Sequence, residues 1–439
     1  MIIIKFGGTS VGNAERIKNA AKIVKSRIKK KPVVVVSAVS KITDMLIKLA
    51  HEFGHRKSNN TLLEIKSIHY KILEKLGIDK DLLKNDFEEL SNLLNKTKSD
   101  KYIDAKRLDE VQSFGERMSS KIFAAELNKI GVNAKSFNSW DLGFLTNAEF
   151  GNAEPLEISY ANLKKNITKL NVVPVITGFI GKTKHGEITT LGRGGSDYTA
   201  AIIGAAINAD EIQIWTDVDG IMSADPKTLG TAKTISNVSF AEACELSYFG
   251  AKVLHPKTML PAMHKNIPVK VLNSFNPKNK GTAILSKTQK SEKTVKAIAY
   301  KDNITLINIE STRMLGAYGF LAKLFDIFSN SKKSVDVVST SEVSVSLTIE
   351  NGGNMGNILT ELKGIADIKV YANKSIICVV GEGMNKNIDI PSRTFAALAK
   401  NKIHVEMISM GASEINITLL VDEKCAKKAV RALHEEYFE

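Results

Sequence analysis

The hydrophobic pattern changes character along the 439 residues. Over the first two thirds, short unbroken apolar runs alternate with stretches of helical spacing. Ile2–Ile4, Val33–Val36, Val172–Ile176, Ile212–Trp215 and Pro268–Leu272 are such runs, the pattern of strands covered on both faces. A helix is expected over about 14–30, and another over 198–206. Strands separated by helices predict a doubly wound α/β layer structure with a mostly parallel sheet. Between about 61 and 97, Leu62, Ile65, Ile68, Ile72 and Leu76 recur at helical spacing. They predict a helical excursion packed by one face, to which no chemistry is assigned.

Residues 276–294 read as a linker, rich in Asn, Lys and Gly. Beyond them the pattern becomes strand (from Ile304), helix (319–330), strand (335–341), strand (343–349), helix (355–363), strand (368–372). From Ser375 the order starts again: strand (376–380), helix (392–401), strand (404–410), strand (415–421), helix (423–436). This is an internal βαββαβ repeat of about 70 residues, the α+β ferredoxin-like plan. The second copy runs out of chain before its last strand. A spare strand at Val295–Tyr300 is expected to complete it, which makes the first copy an insertion into the second. The expected divisions are 1–285, a linker with the spare strand at 286–303, a first repeat at 304–373 and a second at 374–439.

Composition changes this picture little. Hydrophobic residues make up 43% and charged residues 25%, ordinary for a globular protein. The net charge of +14 is scattered; its densest run, Lys29–Lys31, falls at an expected helix end, where cations suit the dipole. No nucleic-acid partner is expected, although a positive field attracts anionic substrates. Cys244, Cys378 and Cys425 lie far apart without a CxxC pair, as in reduced proteins. Met1–Ile4 is too short for a secretory segment, and no run approaches the ~20 apolar residues of a membrane span. A cytoplasmic protein without a membrane partner is expected.

Three glycine-rich turns carry the candidate chemistry. In Lys5-Phe6-Gly7-Gly8-Thr9-Ser10-Val11, glycines after a buried strand let a ligand approach the backbone. The free N–H groups that follow suit phosphate, and Lys5 adds a charge where phosphoryl transfer needs one. No GxxxxGK[ST] loop occurs. The turn Thr190-Leu191-Gly192-Arg193-Gly194-Gly195-Ser196-Asp197 combines a guanidinium fork for a carboxylate, backbone donors and an acid for an ammonium group. One short loop could read both charged ends of an amino acid. Helix capping by Ser196 or Asp197 accounts for neither Arg193 nor the glycines. Gly178-Phe179-Ile180-Gly181 adds little alone. Thr216-Asp217-Val218-Asp219-Gly220 follows a strand, at the edge where open α/β sheets bind ligands; it lacks the calcium-loop pattern. Gly250–Pro256 offers Lys252 and a His255 of structural rather than catalytic type. Glu116, in Ser113-Phe114-Gly115-Glu116-Arg117, is expected to begin a helix, where an acid matches the dipole or holds an ammonium.

Taken together these motifs resemble the aspartokinase family of the amino-acid kinase superfamily, over the whole chain. The resemblance rests on Ile3–Val11, Gly115–Arg117, Leu191–Asp197, Trp215–Val218 and Phe249–Pro256, in family order. It implies an amino-acid kinase fold, an αβα sandwich, followed by two ACT domains. It implies ATP-dependent phosphorylation of the L-aspartate side-chain carboxylate, with Mg²⁺ bridging the phosphates, at the head of lysine, threonine and methionine biosynthesis. Lys5 would contact the transferred phosphoryl, and Lys5 and Asp217 are the implied catalytic residues. Ser37, Thr43, Glu116, Arg193, Ser196 and Asp197 would place aspartate. Lys5, Gly7, Gly8, Thr216, Asp217, Met222, Lys227 and Lys252 would line the nucleotide site; family members often carry Tyr and Arg in place of Met222 and Lys227. No metal ligand from the protein is implied.

The repeat most resembles that of lysine-inhibited, single-function members. Met314, Ala317, Gly319, Phe320, Leu321, Val335, Asp336, Ser341 and Glu342 would then hold an amino-acid effector, lysine or also threonine, in a homodimer or larger assembly formed through the ACT domains. No homoserine dehydrogenase domain is expected after Glu439. Two other readings stay open: a related kinase acting on glutamate, carbamate or a nucleotide, and a non-catalytic amino-acid sensor.

Overall fold

The computed structural model describes the chain except for residues 53–56, 97–102, 250–253, 287–293, 312–313, 315–317, 353–354 and 412–414, with the side chains of 57–59 and 385 also outside the description. In chain order the strands are β1 (Ile2–Phe6), β2 (Pro32–Val36), β3 (Ala134–Phe137), β4 (Val173–Thr177), β5 (Ile180–Lys182), β6 (Ile188–Thr190), β7 (Glu211–Thr216), β8 (Asn237–Ser239), β9 (Val269–Asn273), β10 (Thr282–Leu285), β11 (Ala297–Glu310), β12 (Val338–Thr340), β13 (Ser344–Glu350), β14 (Asp367–Val380), β15 (Met407–Ser409) and β16 (Asn416–Asp422). The helices are α1 (Ala14–Ser26), α2 (Ile42–His51), α3 (Lys57–Leu76), α4 (Lys84–Lys96), α5 (Ala105–Lys129), α6 (Ile158–Ile167), α7 (Gly195–Ile207), α8 (Phe240–Tyr248), α9 (Pro256–His264), α10 (Phe320–Asn330), α11 (Met355–Lys363), α12 (Asp389–Lys400) and α13 (Glu423–Phe438). They form two compact units: Met1–Ile221 with Thr234–Phe240 and Val253–Thr288, and Met222–Lys233 with Ala241–Lys252 and Gln289–Glu439.

The first unit is built on an eight-stranded sheet in the order β3-β4-β2-β1-β7-β9-β10-β8. Every pairing is parallel except β9 with β10. Successive side chains of a strand face opposite sides, and β1 shows the consequence. Ile2, Ile4 and Phe6 join the core that holds α1 and α5. On the other side Ile3 meets Gly204 of α7. Lys5 shares the parity of Ile3, so its side chain runs toward α7.

Helix α1 starts where Asn13 accepts the Arg16 amide at 3.0 Å, one of the side-chain caps that satisfy free N–H groups. The excursion is two helices, α3 and α4, whose Ile65, Ile72, Leu76, Phe87 and Leu90 join the same core. The expected linker at 276–294 contains a strand: β10 pairs with both β9 and β8.

The second unit holds a six-stranded antiparallel sheet, β12-β13-β11-β14-β16-β15. The strands expected separately at 295–300 and from 304 are one strand, β11, and those at 368–372 and 376–380 are one strand, β14. Ala297–Lys301 pair with Ile376–Val380, and Leu306–Glu310 with Asp367–Tyr371, with register shifts between. Two apolar clusters flank this sheet, one around Ile298, Ile377, Leu419 and Leu433, the other around Ile307, Phe328, Leu347 and Leu362.

Candidate active site

The carboxyl ends of the parallel strands bring the first unit's motifs to one edge, the usual ligand edge of such sheets. Gly7 donates to the Trp215 carbonyl at 3.1 Å, and Ser37 to the Phe6 carbonyl at 3.1 Å. Ser10 Oγ reaches the Trp215 carbonyl at 3.2 Å and Ser274 Oγ at 2.8 Å. Ser274 Oγ also donates to the Thr216 carbonyl at 3.0 Å. The glycine turn after β1 is thereby fixed to the start of the Thr216–Asp217 loop.

Lys5 is only 7% exposed, and its Nζ lies 2.6 Å from Asp197 Oδ1. Asp197 stands in the first turn of α7, on the side to which the alternation of β1 directs Lys5. Its carboxylate therefore faces a resident lysine. Ser196 beside it is buried, whereas Arg193 is exposed.

Glu116 does not begin a helix. It lies in the middle of α5, whose N-cap is Asp104, so the dipole reading is wrong; cooperative packing carries the helix through Gly115. A Cβ at Gly115 would stand 2.7 Å from that of Ala38, so only glycine permits this approach. Glu116 Oε1 then accepts the Ala38 amide at 3.0 Å. Its other oxygen is buried without a hydrogen-bond partner. Burial pushes the carboxyl up to about 8, against the pull of that amide. A buried acid with one free oxygen fits an incoming ammonium group.

Thr43 lies half-buried in the first turn of α2. Asp217 is exposed and accepts from the Thr216 hydroxyl at 3.1 Å, and Asp219 from Asn273 at 2.8 Å. Met222 and Lys227 fall in the second unit. The Lys227 side chain is exposed, and its amide donates to Asp225 at 2.9 Å. Lys252 lies outside the described residues. The partial burial of His255, together with the charges of Arg193 and Lys257, lowers its pKa.

Several residues of this region were not singled out from the sequence. Arg117 of the Gly-Glu-Arg motif turns to the excursion, where Asp86 is fully buried and receives Lys121 at 2.7 and 2.8 Å; Arg117 also pairs with Glu89. Tyr198 donates to Glu154 at 2.8 Å, and Glu154 pairs with Lys257. Asp109 is buried in α5. Its one visible signal is the spacing of seven from Glu116, which places both on one helix face.

In the second unit, Gly319 caps α10 with φ of 80°, and Met314, Phe320 and Val335 pack on the cluster around Phe328. Leu321 and Glu342 are exposed. Ser341 Oγ meets Ser344 Oγ at 2.7 Å. Ala317 lies outside the described residues. Asp336 Oδ1 accepts from the Tyr248 hydroxyl at 2.7 Å and from Lys301 at 3.1 Å, while its Oδ2 is buried without a partner.

The amino acid kinase family matches residues 1–273, and an ACT domain matches residues 377–437. Aspartokinase 2, chloroplastic, of Arabidopsis thaliana is 41% identical over 458 residues, covering 100% of this chain and 84% of that protein. The lysine-sensitive aspartokinase 3 of Escherichia coli (strain K12) is 36% identical over 452 residues, covering 100% and 99%. The crystal structure of E. coli aspartokinase III with aspartate and ADP, an R-state, superposes with a TM-score of 0.85 at 34% identity over both whole chains. The same enzyme with lysine and aspartate, a T-state, gives 0.82 at 35%, again over both whole chains.

Proposed function

The chain belongs to the aspartokinase family, and from that premise we propose how its residues carry out the family's reaction. The reaction is ATP + L-aspartate → ADP + 4-phospho-L-aspartate, under feedback control through the ACT region. A carboxylate oxygen of aspartate forms a bond to the γ-phosphorus as the bond to the β,γ-bridging oxygen breaks. That carboxylate is already an anion near neutral pH, so no general base is needed. The task is to hold two anions together and to neutralise charge on the moving phosphoryl.

Lys5 supplies that neutralisation, held in direction by Asp197. The aspartate ammonium goes to the free oxygen of Glu116, and its α-carboxylate to Arg193, with Ser37, Thr43 and Ser196 close by. The observation that carries this reading is the unpartnered, buried Glu116 oxygen at the strand edge that holds Lys5. ATP is assigned to the turn at Gly7 and Gly8 and the Thr216–Asp217 loop. Among the described residues no three His, Cys, Asp or Glu side chains group to hold a metal. Mg²⁺, bound together with the nucleotide, would supply further charge neutralisation on the transferring phosphoryl.

The regulatory ligand is proposed to be lysine, its ammonium directed to the free oxygen of Asp336, with Met314, Ala317, Gly319 to Leu321, Val335, Ser341 and Glu342 as the other expected contacts. The ACT region is also proposed as the surface of homo-oligomerisation. Among the described residues no helix is long and apolar enough to cross a membrane.

An acyl-phosphate assay with hydroxylamine tests the assignment. Lys5→Ala is expected to lower kcat by about 10²–10³-fold, and Arg193→Ala to lower kcat/KM for aspartate by about 10²-fold. Near-normal kcat/KM in either variant overturns these roles.

A further inference from the structure

Asp109 is 1% exposed, and its side-chain hydrogen bonds go to the end of β6 and to the turn at Gly151. Oδ2 accepts the amides of Thr190 and of Gly151, each at 2.8 Å. Oδ1 accepts the Thr190 hydroxyl at 2.8 Å. Thr190 is the last residue of β6, three before Arg193. Its carbonyl accepts the Ala153 amide at 2.8 Å. The turn at 151–152 is also what the arginine loop rests on: a Cβ at Gly192 would stand 3.0 Å from Asn152 Oδ1 and 3.1 Å from the Gly151 carbonyl. One buried carboxylate thus ties down both the loop that carries Arg193 and the turn beneath it.

Burial raises the Asp109 carboxyl, and the three donors oppose that rise. No cation contributes. The group is stabilised by dipoles alone, which an amide side chain can also satisfy: its oxygen accepts the two amides, and its NH₂ donates to the Thr190 hydroxyl.

We propose that Asp109 is a positioning residue for aspartate, fixing the 190–193 loop so that the Arg193 guanidinium meets the substrate α-carboxylate. This rests on the assignment of Arg193 to that carboxylate. Small misplacements of a positioned group cost rate steeply, so the loss should appear on the aspartate side and not on the ATP side.

The test is a kinetic cycle in the full chain, with aspartate and ATP varied separately. Asp109→Leu is expected to lower kcat/KM for aspartate by about 10-fold to 10²-fold, with KM for ATP within about 2-fold. Asp109→Asn is expected to stay within about 3-fold of wild type, because shape and not charge is required. The double variant Asp109→Leu/Arg193→Ala is expected to be no worse than Arg193→Ala alone, since one residue acts through the other. If Asp109→Leu does not fold, Thr190→Val reads the same effect through the loss of a single bond. The proposal is overturned if aspartate and ATP parameters decline together, if Asp109→Asn is as damaging as Asp109→Leu, or if the two losses multiply. An Arg193→Ala variant with unchanged aspartate kinetics overturns it too, but by removing the Arg193 assignment itself. A defective Arg193→Ala beside a normal Asp109→Leu removes the positioning role alone.

Discussion

Glu116 in the first unit and Asp336 in the second each keep a buried oxygen without a hydrogen-bond partner among the described residues, and the two differ in what stands beside them. Glu116 has only the Ala38 amide on its other oxygen, and no cation contributes to its shift, so burial pushes it up to about 8. Asp336 has the Tyr248 hydroxyl and the Lys301 ammonium on its other oxygen. A cation arriving at Glu116 supplies the whole counter-charge. A cation arriving at Asp336 shares the carboxylate with a resident lysine. The first arrangement suits a substrate whose binding must switch the site on. The second suits an effector whose affinity is held down and can be adjusted by the neighbours of its acceptor.

This contrast can be broken most forcefully at Glu116. Glu116→Leu, which leaves a substrate ammonium without a partner, is expected to cost about 10²-fold or more in kcat/KM for aspartate, read in the hydroxylamine assay. Asp336→Asn weakens a charge-assisted hydrogen bond and is expected to raise the lysine concentration for half-inhibition by about 10-fold. Tyr248→Phe should act in the opposite direction. With one donor removed from Asp336, half-inhibition is expected at a concentration about 3-fold lower. A flat response to lysine in the wild-type chain would remove both of the last two.

The smallest effect is thermal. The Glu116 pKa in the folded, ligand-free protein lies above its unfolded value, so its stabilising proton is fully held below about pH 4.5 and lost as the pH rises toward 8. Wild-type melting temperature should therefore fall between pH 6 and 8 by about 2–4 °C more than that of Glu116→Gln. Parallel curves would contradict the burial argument.

Much of the catalytic edge was legible because its parts are local. Apolar runs marked β1, β2, β4, β7 and β9, and the glycine turns at 7–8 and 192–195 follow strands. What depends on distant packing was hidden. Glu116 reads as a helix start although α5 begins at Ala105; nothing local shows that Gly115 gives Ala38 its space. Asp109 resembled any acid on a helix until Thr190 and Gly151 were brought to it from 81 and 42 residues away. The break expected near 301–304 is a register shift inside one strand, taken up by Asn303 with φ of 64°. Asn373, with φ of 57°, does the same in β14. Asparagine tolerates that left-handed conformation, so polar residues that look like a turn can lie within a continuous sheet. The strand β10 was masked by its Asn- and Lys-rich approach.

A Glu116 that waits in protonated form for the substrate ammonium can be detected directly as a proton count. Aspartate is titrated calorimetrically into the nucleotide-saturated enzyme near pH 7 in two buffers of different ionisation enthalpy. With a pKa of about 8, roughly 0.9 proton per site is expected to be released from the wild-type chain, and none from Glu116→Gln. Heats independent of buffer in the wild type, or the same release from both proteins, would contradict it.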